Sequence, residues 1–267
     1  MSERKTRAKK SYGQHFLTNE HYAHQIAHAL ELTGQYDHVL EVGPGQGMLT
    51  KHLLERKKDF ELTVSEADKD MIAYLEAHFP ELSDRIVPGD FLKADLDEIF
   101  AGKSFGLIGN YPYNISSQIM IKMLDNYQRI PEMVGMFQKE VADRVIAGNG
   151  SKVYGVIGVL VQCRYTPSLV LNVSPGNFNP PPRVDSAVIR LVRRDEPLVP
   201  DELYGRFKHI VKSAFGMRRK MLRNSLKSAF EDDQLTGEFF QRRPEQVSLE
   251  DFVALTLLDY NEKDTDS

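Results

Sequence analysis

Four polar or glycine-rich segments each follow a short apolar run in the N-terminal half of the chain. They are the loop Gly43–Gly47, the carboxylates Glu66 and Asp90, and the tetrapeptide Asn110–Tyr113. Short apolar runs separated in this way are typical of buried parallel strands. Because ligands bind at the carboxyl ends of the strands in an open parallel sheet, we expect the four segments to form one site.

The first segment, Glu41-Val-Gly43-Pro-Gly45-Gln-Gly47, has the composition of a nucleotide-binding turn. Glycine lacks a Cβ atom, so the backbone at Gly43 and Gly45 can approach a bound ligand closely. A dinucleotide fingerprint would require a further Gly or Ala at position 48, which is occupied by Met48. The loop therefore indicates the adenosyl cofactor of methyltransferases, S-adenosyl-L-methionine, rather than NAD.

The two carboxylates follow the next two apolar runs. Glu66 lies about twenty residues beyond the glycine loop, where an acidic side chain can accept hydrogen bonds from both ribose hydroxyls. Asp90 could accept a hydrogen bond from an adenine amino group. Either carboxylate alone could be only a helix cap. A glycine loop, a glutamate and an aspartate after successive strands together favour a nucleoside-binding site.

The tetrapeptide has the residue types needed to activate an exocyclic amine on a base. Such an amine is a weak nucleophile because its lone pair is delocalised into the ring. The Asn110 side-chain oxygen and a backbone carbonyl, accepting its two N–H bonds, would localise that lone pair. Pro112 would fix the direction of the preceding carbonyl, and Tyr113 offers a ring on which an extruded base can stack. A plain proline turn has the same composition, but its position one strand after Asp90 favours a catalytic role.

The elements that must position these residues alternate between strands and helices. We predict strands at residues 38–42, 62–66, 86–87, 105–108, 133–137 and 184–192, and a first helix over 19–32 with Asn19 as its N-cap. This alternation implies a mostly parallel sheet covered on both faces. Residues 201–257 show helical spacing only, so an α/β domain is expected to give way to a small all-helical domain near residues 195–200.

Composition indicates an ordinary soluble protein. The chain has 267 residues, 41% of them hydrophobic, and carries a net charge of −4. The lone Cys163 fits a reducing compartment, and the N-terminal residues lack the apolar stretch of a secretory signal. We therefore expect a cytoplasmic protein that does not cross a membrane. Nothing in the helical tail suggests a coiled coil, so a monomer is expected.

Two sets of side chains could bind ions or nucleic acid. His21, His24 and His28 share one helical face, but without an acidic or cysteine partner they are expected to be surface residues rather than metal ligands. Residues 203–230 contain no acidic residue and several lysines and arginines. This basic segment is either a solvated helix face or a nucleic-acid-binding surface.

Several motifs together resemble the KsgA-type ribosomal RNA adenine dimethyltransferases, which are related to eukaryotic dimethyladenosine transferases and to the Erm resistance methylases. The resemblance extends from about Lys10 to Leu226. The segments that carry it are Tyr12-Gly-Gln-His-Phe-Leu17, Glu41-Val-Gly-Pro-Gly45, Asn110-Tyr-Pro-Tyr-Asn-Ile-Ser116, Gln138-Lys-Glu-Val141, Phe178-Asn-Pro-Pro-Pro-Arg-Val-Asp-Ser186 and Arg219-Lys-Met-Leu-Arg-Asn-Ser-Leu226.

The resemblance implies dimethylation of two adjacent adenosines in a hairpin loop near the 3′ end of 16S rRNA, within the 30S subunit. The cofactor contacts that it implies are His15, Leu17, Gly43, Glu66, Asp90 and Asn110, to which the loop adds Gly45. The target-base contacts that it implies are Asn110, the carbonyl of Tyr111, Tyr113 and Phe178. Contacts with rRNA phosphates are expected from Lys208, Lys212, Arg219, Lys220 and Arg223.

The resemblance also implies that the chain divides into three functional regions. Residues 1–18 are expected to form a basic arm that closes over the cofactor. Residues 19–197 would form the S-adenosylmethionine-binding catalytic domain, with a Rossmann-like class I methyltransferase sheet. Residues 198–267 would form the helical rRNA-binding domain.

One departure and two alternatives accompany this interpretation. The family usually has Leu at the second position of the tetrapeptide, and this chain has Tyr111. Because the role ascribed to that residue is its backbone carbonyl, we expect activity to be retained. An Erm-like methylase acting on large-subunit rRNA is one alternative, although the segment 219–226 resembles the KsgA type. A ribosome-assembly factor without catalysis is the other, although the glycine loop, both carboxylates and the tetrapeptide are intact.

Overall fold

The computed structural model describes residues 14–258 of the chain. Residues 1–13, which include most of the predicted basic arm, and residues 259–267 lie outside the described residues. The chain divides into two compact units. The first comprises the described residues up to Ala142 together with Ser168–Arg193, and the second comprises Asp143–Pro167 together with the described residues from Arg194 onward.

Strands and helices alternate over most of the chain. The strands are β1 Phe16–Leu17, β2 His38–Val42, β3 Glu61–Glu66, β4 Ile86–Pro88, β5 Phe105–Asn110, β6 Glu132–Gln138, β7 Tyr165–Val173, β8 Phe178–Asn179 and β9 Ser186–Arg193. The α-helices are α1 Glu20–His28, α2 Thr50–Glu55, α3 Lys69–His78, α4 Leu96–Phe100, α5 Ser116–Asp125, α6 Lys139–Ile146, α7 Val156–Arg164, α8 Tyr204–Gly216, α9 Leu222–Ser225 and α10 Leu249–Leu257. None of the helices between residues 14 and 258 is long and apolar enough to span a bilayer.

A mixed sheet forms the centre of the first unit. Across the described range, seven strands form this sheet in the order β4-β3-β2-β5-β6-β9-β7. From β4 to β6 neighbouring strands are parallel, and β9 is antiparallel to β6. Leu40 is in register with Thr63 on one side and with Leu107 on the other, so the carboxyl ends of β2, β3 and β5 meet at one edge. This topology confirms the predicted α/β fold.

Burial explains why the central strands were predicted well and one edge strand was not. Strand β5 is buried on both faces from Phe105 to Gly109, and only Asn110 at its end is partly exposed. A strand that is buried on both faces appears in the sequence as a continuous run of apolar residues. Strand β7 lies at the end of the sheet and mixes buried with exposed residues around Pro167, so it has neither a continuous apolar run nor clean alternation.

The first helix begins as predicted and ends earlier. The Asn19 side chain accepts hydrogen bonds from the N–H groups of His21 and Tyr22, which confirms Asn19 as the N-cap. The helix buries Ala23, Ile26 and Ala27 and ends at His28 rather than near residue 32. A capping side chain satisfies N–H groups that have no partner within the helix, and so it marks a helix start more sharply than a pattern marks the end.

Helices α7 to α10 lie in the second unit. Helix α8 buries Phe207, Ile210, Val211 and Ala214, in agreement with the helical spacing predicted for residues 201–257. It ends at Gly216, so the basic segment is not one continuous helix, and Arg219 and Lys220 lie in the turn before α9. Helix α7 belongs to this unit although it precedes residue 198. The functional division at residues 197 and 198 stays a prediction.

Candidate functional site

A cavity of about 280 Å³ lies at the carboxyl edge of the sheet. It is lined by the segment before and within β1, the end of β2 with the glycine loop, the end of β3, the residues after β4, and the residues after β5. Among the predicted site residues it brings together His15, Gly43, Gly45, Glu66, Asp90, Asn110, Tyr111, Pro112 and Tyr113. The expectation that four separate segments meet in one place is therefore met by the fold.

The glycine loop is held against β3 by a carboxylate. Gly45 has a φ of +55°, which an L side chain rarely adopts, and its N–H donates to Glu66 Oε2 at 3.1 Å. The other oxygen, Oε1, accepts from the N–H of Asp68 at 2.9 Å. Burial raises the pKa of Glu66, opposed by these backbone hydrogen bonds. The carboxylate thus positions the loop and also lines the cavity, where it can accept hydrogen bonds from a diol.

A second acidic residue, Glu41, lies beneath the glycine loop. It is 1% exposed, and its Oε2 accepts a hydrogen bond from Thr50 Oγ1 at 2.7 Å. Burial raises the pKa of this carboxyl from its usual 4.5 to about 8, and the charge of Glu66 adds to the increase. Glu41 is therefore protonated in the folded protein at neutral pH.

Protonation of Glu41 predicts how stability changes with pH. Between pH 4.5 and about 8 the folded protein holds a proton that the unfolded chain has lost. The contribution of Glu41 to the free energy of unfolding is therefore present at low pH and is lost as the pH rises towards 8. In Glu41→Gln this loss is absent, so the melting temperature of the variant relative to the wild type is expected to increase from pH 6 to pH 9 in thermal unfolding. A difference that does not change with pH would contradict the assignment.

Asp90 caps a short turn at the cavity. Its Oδ1 accepts a hydrogen bond from the N–H of Leu92 at 3.0 Å, and Phe91 follows it as a buried wall of the cavity. The capping role was one of the two possibilities open from the sequence. Asp90 is exposed at the cavity, and a contact with an adenine amino group stays a prediction.

Lys122, on helix α5, holds this turn in place and was not found from the sequence. Its Nζ donates to the carbonyls of Leu92 at 3.1 Å and Ala94 at 2.6 Å, and it lies 5.4 Å from the centre of the Phe91 ring. Helix α5 begins at Ser116, three positions after the tetrapeptide ends, so Lys122 links the tetrapeptide side of the cavity to the turn after Asp90. A lysine in mid-helix is an ordinary surface residue in sequence, so no pattern pointed to it.

Asn110 is fixed in orientation by the N-terminal segment. Its Nδ2 donates to the backbone carbonyl of His15 at 2.9 Å. An amide group has its donor on one side and its acceptor on the other, so this contact leaves the Oδ1 atom available as an acceptor. This orientation is compatible with the predicted acceptor role of Asn110, which stays a prediction.

The ring of Tyr113 is also held in place. Its hydroxyl is 2.6 Å from Ser186 Oγ at the start of β9, and Ser116 Oγ donates to its carbonyl at 3.1 Å. The His15 ring stacks on Tyr113 with centroids 5.4 Å apart, and His15 Nδ1 is 2.8 Å from the carbonyl oxygen of Pro180. A base that stacks on this face of Tyr113 must therefore displace or replace the His15 ring.

Leu17 and Phe178 do not line the main cavity. They are paired in register in the small antiparallel ladder of β1 and β8, and are 3% and 4% exposed. Leu17 lines a neighbouring cavity of about 310 Å³, together with Gly43 and Asn110. Contacts of Leu17 with the cofactor and of Phe178 with the base stay predictions, and Phe178 would have to move to reach a base in the main cavity.

The predicted RNA-contacting residues lie on the surface of the second unit. Lys212, Arg219, Lys220 and Arg223 are exposed, and Lys208 is half-buried with its Nζ 5.0 Å from the Tyr204 ring. As far as the structure describes the chain, the four exposed cations have no carboxylate partner. Nearby Lys227, by contrast, is 3.0 Å from Asp232. Unpaired exposed cations are available to phosphates without first breaking an ion pair.

Comparison of the sequence with known families and proteins is consistent with this site. A family model described as ribosomal RNA adenine dimethylase matches residues 5–256. The ribosomal RNA small subunit methyltransferase A of Bacteroides thetaiotaomicron is 49% identical over 251 residues, which covers 93% of this chain and 92% of that protein. The protein of the same description from Flavobacterium johnsoniae is 46% identical over 255 residues, covering 94% and 95%.

Solved structures show the same fold. A dimethyladenosine transferase from Plasmodium falciparum superposes with a TM-score of 0.76 at 24% identity, covering 94% of this chain and 98% of that one. The 23S rRNA methyltransferase ErmE superposes with a TM-score of 0.67 at 26% identity, covering 90% and 99%. Both are consistent with the predicted Rossmann-like methyltransferase sheet.

Proposed function

The chain belongs to the ribosomal RNA adenine dimethylase family, and we propose that it dimethylates the N6 amines of two adjacent adenosines in a hairpin loop near the 3′ end of 16S rRNA. As a member of this family it is an enzyme that depends on S-adenosylmethionine. The observation that carries the proposal is the orientation of Asn110, whose donor is bound to His15 and whose acceptor is left for the substrate.

The residues present fit S-adenosylmethionine. The backbone at Gly43 and Gly45 adopts positive φ and lines the cavity, and at Gly43 an added Cβ would meet only Pro112 Cδ, at 4.0 Å. The Glu66 carboxylate at the end of β3 is suited to a ribose diol. Asp90 and the Phe91 wall would enclose the adenine. When bound, the cofactor supplies an electrophilic methyl group on a positively charged sulfur.

The chain itself orients and activates the target amine. Asn110 Oδ1 and the Tyr111 carbonyl accept its two N–H bonds and localise the nitrogen lone pair. Tyr113 provides the stacking surface for the extruded base. Methylation leaves a positively charged nitrogen that is acidic, so its proton passes to solvent without a dedicated base. Positioning the target amine next to the methyl group of the cofactor then supplies much of the rate enhancement.

The substrate particle and the cellular setting follow from this activity. The relatives that share 46–49% identity are described as small-subunit methyltransferases, which supports 16S rRNA over the large-subunit substrate of an Erm-like enzyme. We infer that the enzyme acts as a monomer on the partly assembled 30S subunit in the cytoplasm. Its place is then in small-subunit biogenesis.

One assay tests the function. The protein is incubated with methyl-labelled S-adenosylmethionine and with 30S particles that lack the modification, with 50S particles, or with free DNA. Digestion of the 30S rRNA is expected to yield labelled N6-dimethyladenosine. Its absence would overturn the proposal, and label confined to 50S particles would favour the Erm-like alternative. Binding to 30S particles without any transfer would favour the assembly-factor alternative.

The basic surface is expected to make binding sensitive to salt. Each phosphate contact contributes about 0.7–0.9 to the slope of log affinity against log salt concentration. Replacing Arg219 and Arg223 with Gln should therefore lower that slope by about 1.4–1.8 in total, measured as 30S binding at several salt concentrations. Lys58→Gln, in the first unit, serves as the control with an unchanged slope. A double variant with the wild-type slope would exclude these two arginines from the RNA contact.

A further inference from the structure

Two glycines lie side by side behind the tetrapeptide. Gly109 of β5 and Gly135 of β6 are partners in the parallel ladder. Because glycine has no side chain, this pair leaves the backbone of the sheet without side-chain cover at that point. The ring of Tyr111 packs against the two glycines there. A Cβ atom added to Gly135 would lie 2.4 Å from Tyr111 Cε2, and one added to Gly109 would lie 2.8 Å from Tyr111 Cε1.

Tyr111 is held on both its side chain and its backbone. The side chain is 1% exposed, and its ring lies 5.1 Å from the ring of Phe137. Its N–H donates to the carbonyl of Met136 at 3.3 Å, which extends the β5–β6 ladder by one residue. The residue is therefore attached to the rigid sheet, although it lines the cavity together with Pro112 and Tyr113.

We propose that Tyr111 is a positioning residue, whose ring on the Gly109–Gly135 pair fixes the direction of its own backbone carbonyl towards the target amine. This inference rests on the proposed function. The torsion that turns that carbonyl is ψ of residue 111, which the following proline restricts to the extended region without fixing it. The ring and the N–H of Tyr111 hold the Cα side of this torsion on the sheet, so the carbonyl can turn only if Pro112 and the residues after it move. The contact of the Tyr113 hydroxyl with Ser186 Oγ opposes that movement.

The hydroxyl of Tyr111 has no part in this role. Over residues 14–258 it is buried without a hydrogen-bond partner. Burial, and secondarily the charge of Glu41, raises the pKa of Tyr111, so the phenol remains neutral. The ring is therefore the functional part of the side chain. Leucine, the residue that the family resemblance leads one to expect here, is too short to cover both glycines.

The second methyl transfer has fewer hydrogen bonds to orient the amine than the first. In the first transfer the amine has two N–H bonds, and Asn110 Oδ1 and the Tyr111 carbonyl each accept one. After the first transfer a single N–H remains, so one acceptor must hold the amine alone while the methyl group occupies the other position. A carbonyl whose direction varies would slow the second transfer more than the first. The ratio of monomethyl to dimethyl product thus reports on Tyr111.

The test compares Tyr111→Leu and Tyr111→Phe in single-turnover methylation of 30S particles, with cofactor affinity and melting temperature measured on the same proteins. Misplacement of reacting groups by about 1 Å can cost on the order of 100-fold in rate. Tyr111→Leu is expected to lower the rate by about 10- to 100-fold and to accumulate monomethyladenosine, with cofactor affinity unchanged. Tyr111→Phe, which keeps the ring, is expected to recover most of that loss.

Tyr154 provides a matched control. Its side chain is also 1% exposed, and its hydroxyl has no hydrogen-bond partner among residues 14–258. Tyr154 lies in the second unit. Tyr154→Leu should lower the melting temperature as Tyr111→Leu does, without changing the product ratio. A wild-type product ratio in Tyr111→Leu, or a Tyr111→Phe rate as low as that of Tyr111→Leu, would overturn the proposal. Wild-type protein that forms no dimethyladenosine would instead overturn the proposed function.

Discussion

Replacing Asn110 with alanine is expected to lower the rate of methyl transfer by about 100- to 1,000-fold, the cost of removing one preorganised hydrogen-bonding group from an active site. The reason is the orientation of its amide, which donates to His15 and leaves one acceptor for the target amine. Without that acceptor the lone pair of the amine stays delocalised in the ring. The rate is measured as single-turnover methylation of 30S particles, and cofactor affinity is measured by calorimetry.

Two further variants separate chemistry from structure. Asn110→Asp keeps an oxygen but loses the donor, so a carboxylate would face the His15 carbonyl and the segment would be repelled. We expect it to be as slow as Asn110→Ala. Asn172→Ala, at an exposed position of β7 that does not line the cavity, should transfer at the wild-type rate. Normal transfer by Asn110→Ala would show that another group activates the amine.

The parts of the fold that the sequence predicted are those that depend on local patterns. Strands β2 and β5 are short, buried and followed by residues that need particular conformations, so their boundaries could be placed within one or two residues. The order of glycine loop, Glu66, Asp90 and Asn110 along the chain then implied a shared edge. This worked because parallel strands bring successive carboxyl ends together.

The contacts that the sequence did not predict depend on pairs of residues far apart in the chain. Tyr111 could not be placed because its environment is made by Gly135, 24 positions later. The hydrogen bonds from Lys122 to the turn after Asp90 join a helix to a loop about thirty residues earlier, as the separations of 28 and 30 show. Nothing in local composition distinguishes these residues from ordinary ones.

Phe178 illustrates a different limit. The motif resemblance assigned it to the target base, and the structure pairs it with Leu17 and buries it. A motif indicates that a residue is functionally important, but it does not indicate in which conformation of the loop that residue acts. His15, which stacks on Tyr113, occupies the position beside the ring that a base would need. From the sequence, His15 was predicted only as a contact of the cofactor.

The second large effect is expected at Glu66. Glu66→Ala should weaken S-adenosylmethionine binding by roughly 100- to 10,000-fold, since hydrogen bonds to a charged group contribute about 1.5–3 kcal/mol each and two such bonds to a diol are lost. The loop would loosen as well, because Gly45 loses the acceptor of its N–H. Calorimetric titration of the cofactor measures the affinity. Glu61→Gln, at the exposed start of the same strand, is the control with wild-type affinity.

The isosteric change Glu66→Gln is the sharper test, because the two oxygens of Glu66 already accept from backbone N–H groups of Gly45 and Asp68. A glutamine must direct its NH₂ group at one of these donors, and no rotation of the amide avoids this. We therefore expect Glu66→Gln to bind the cofactor almost as weakly as Glu66→Ala. Because burial raises the pKa of Glu66, wild-type affinity should also begin to fall on acidification at a higher pH than for an exposed glutamate. Wild-type affinity in Glu66→Gln would mean that binding needs neither the charge of Glu66 nor both of its backbone hydrogen bonds, and that the ribose is held by other groups.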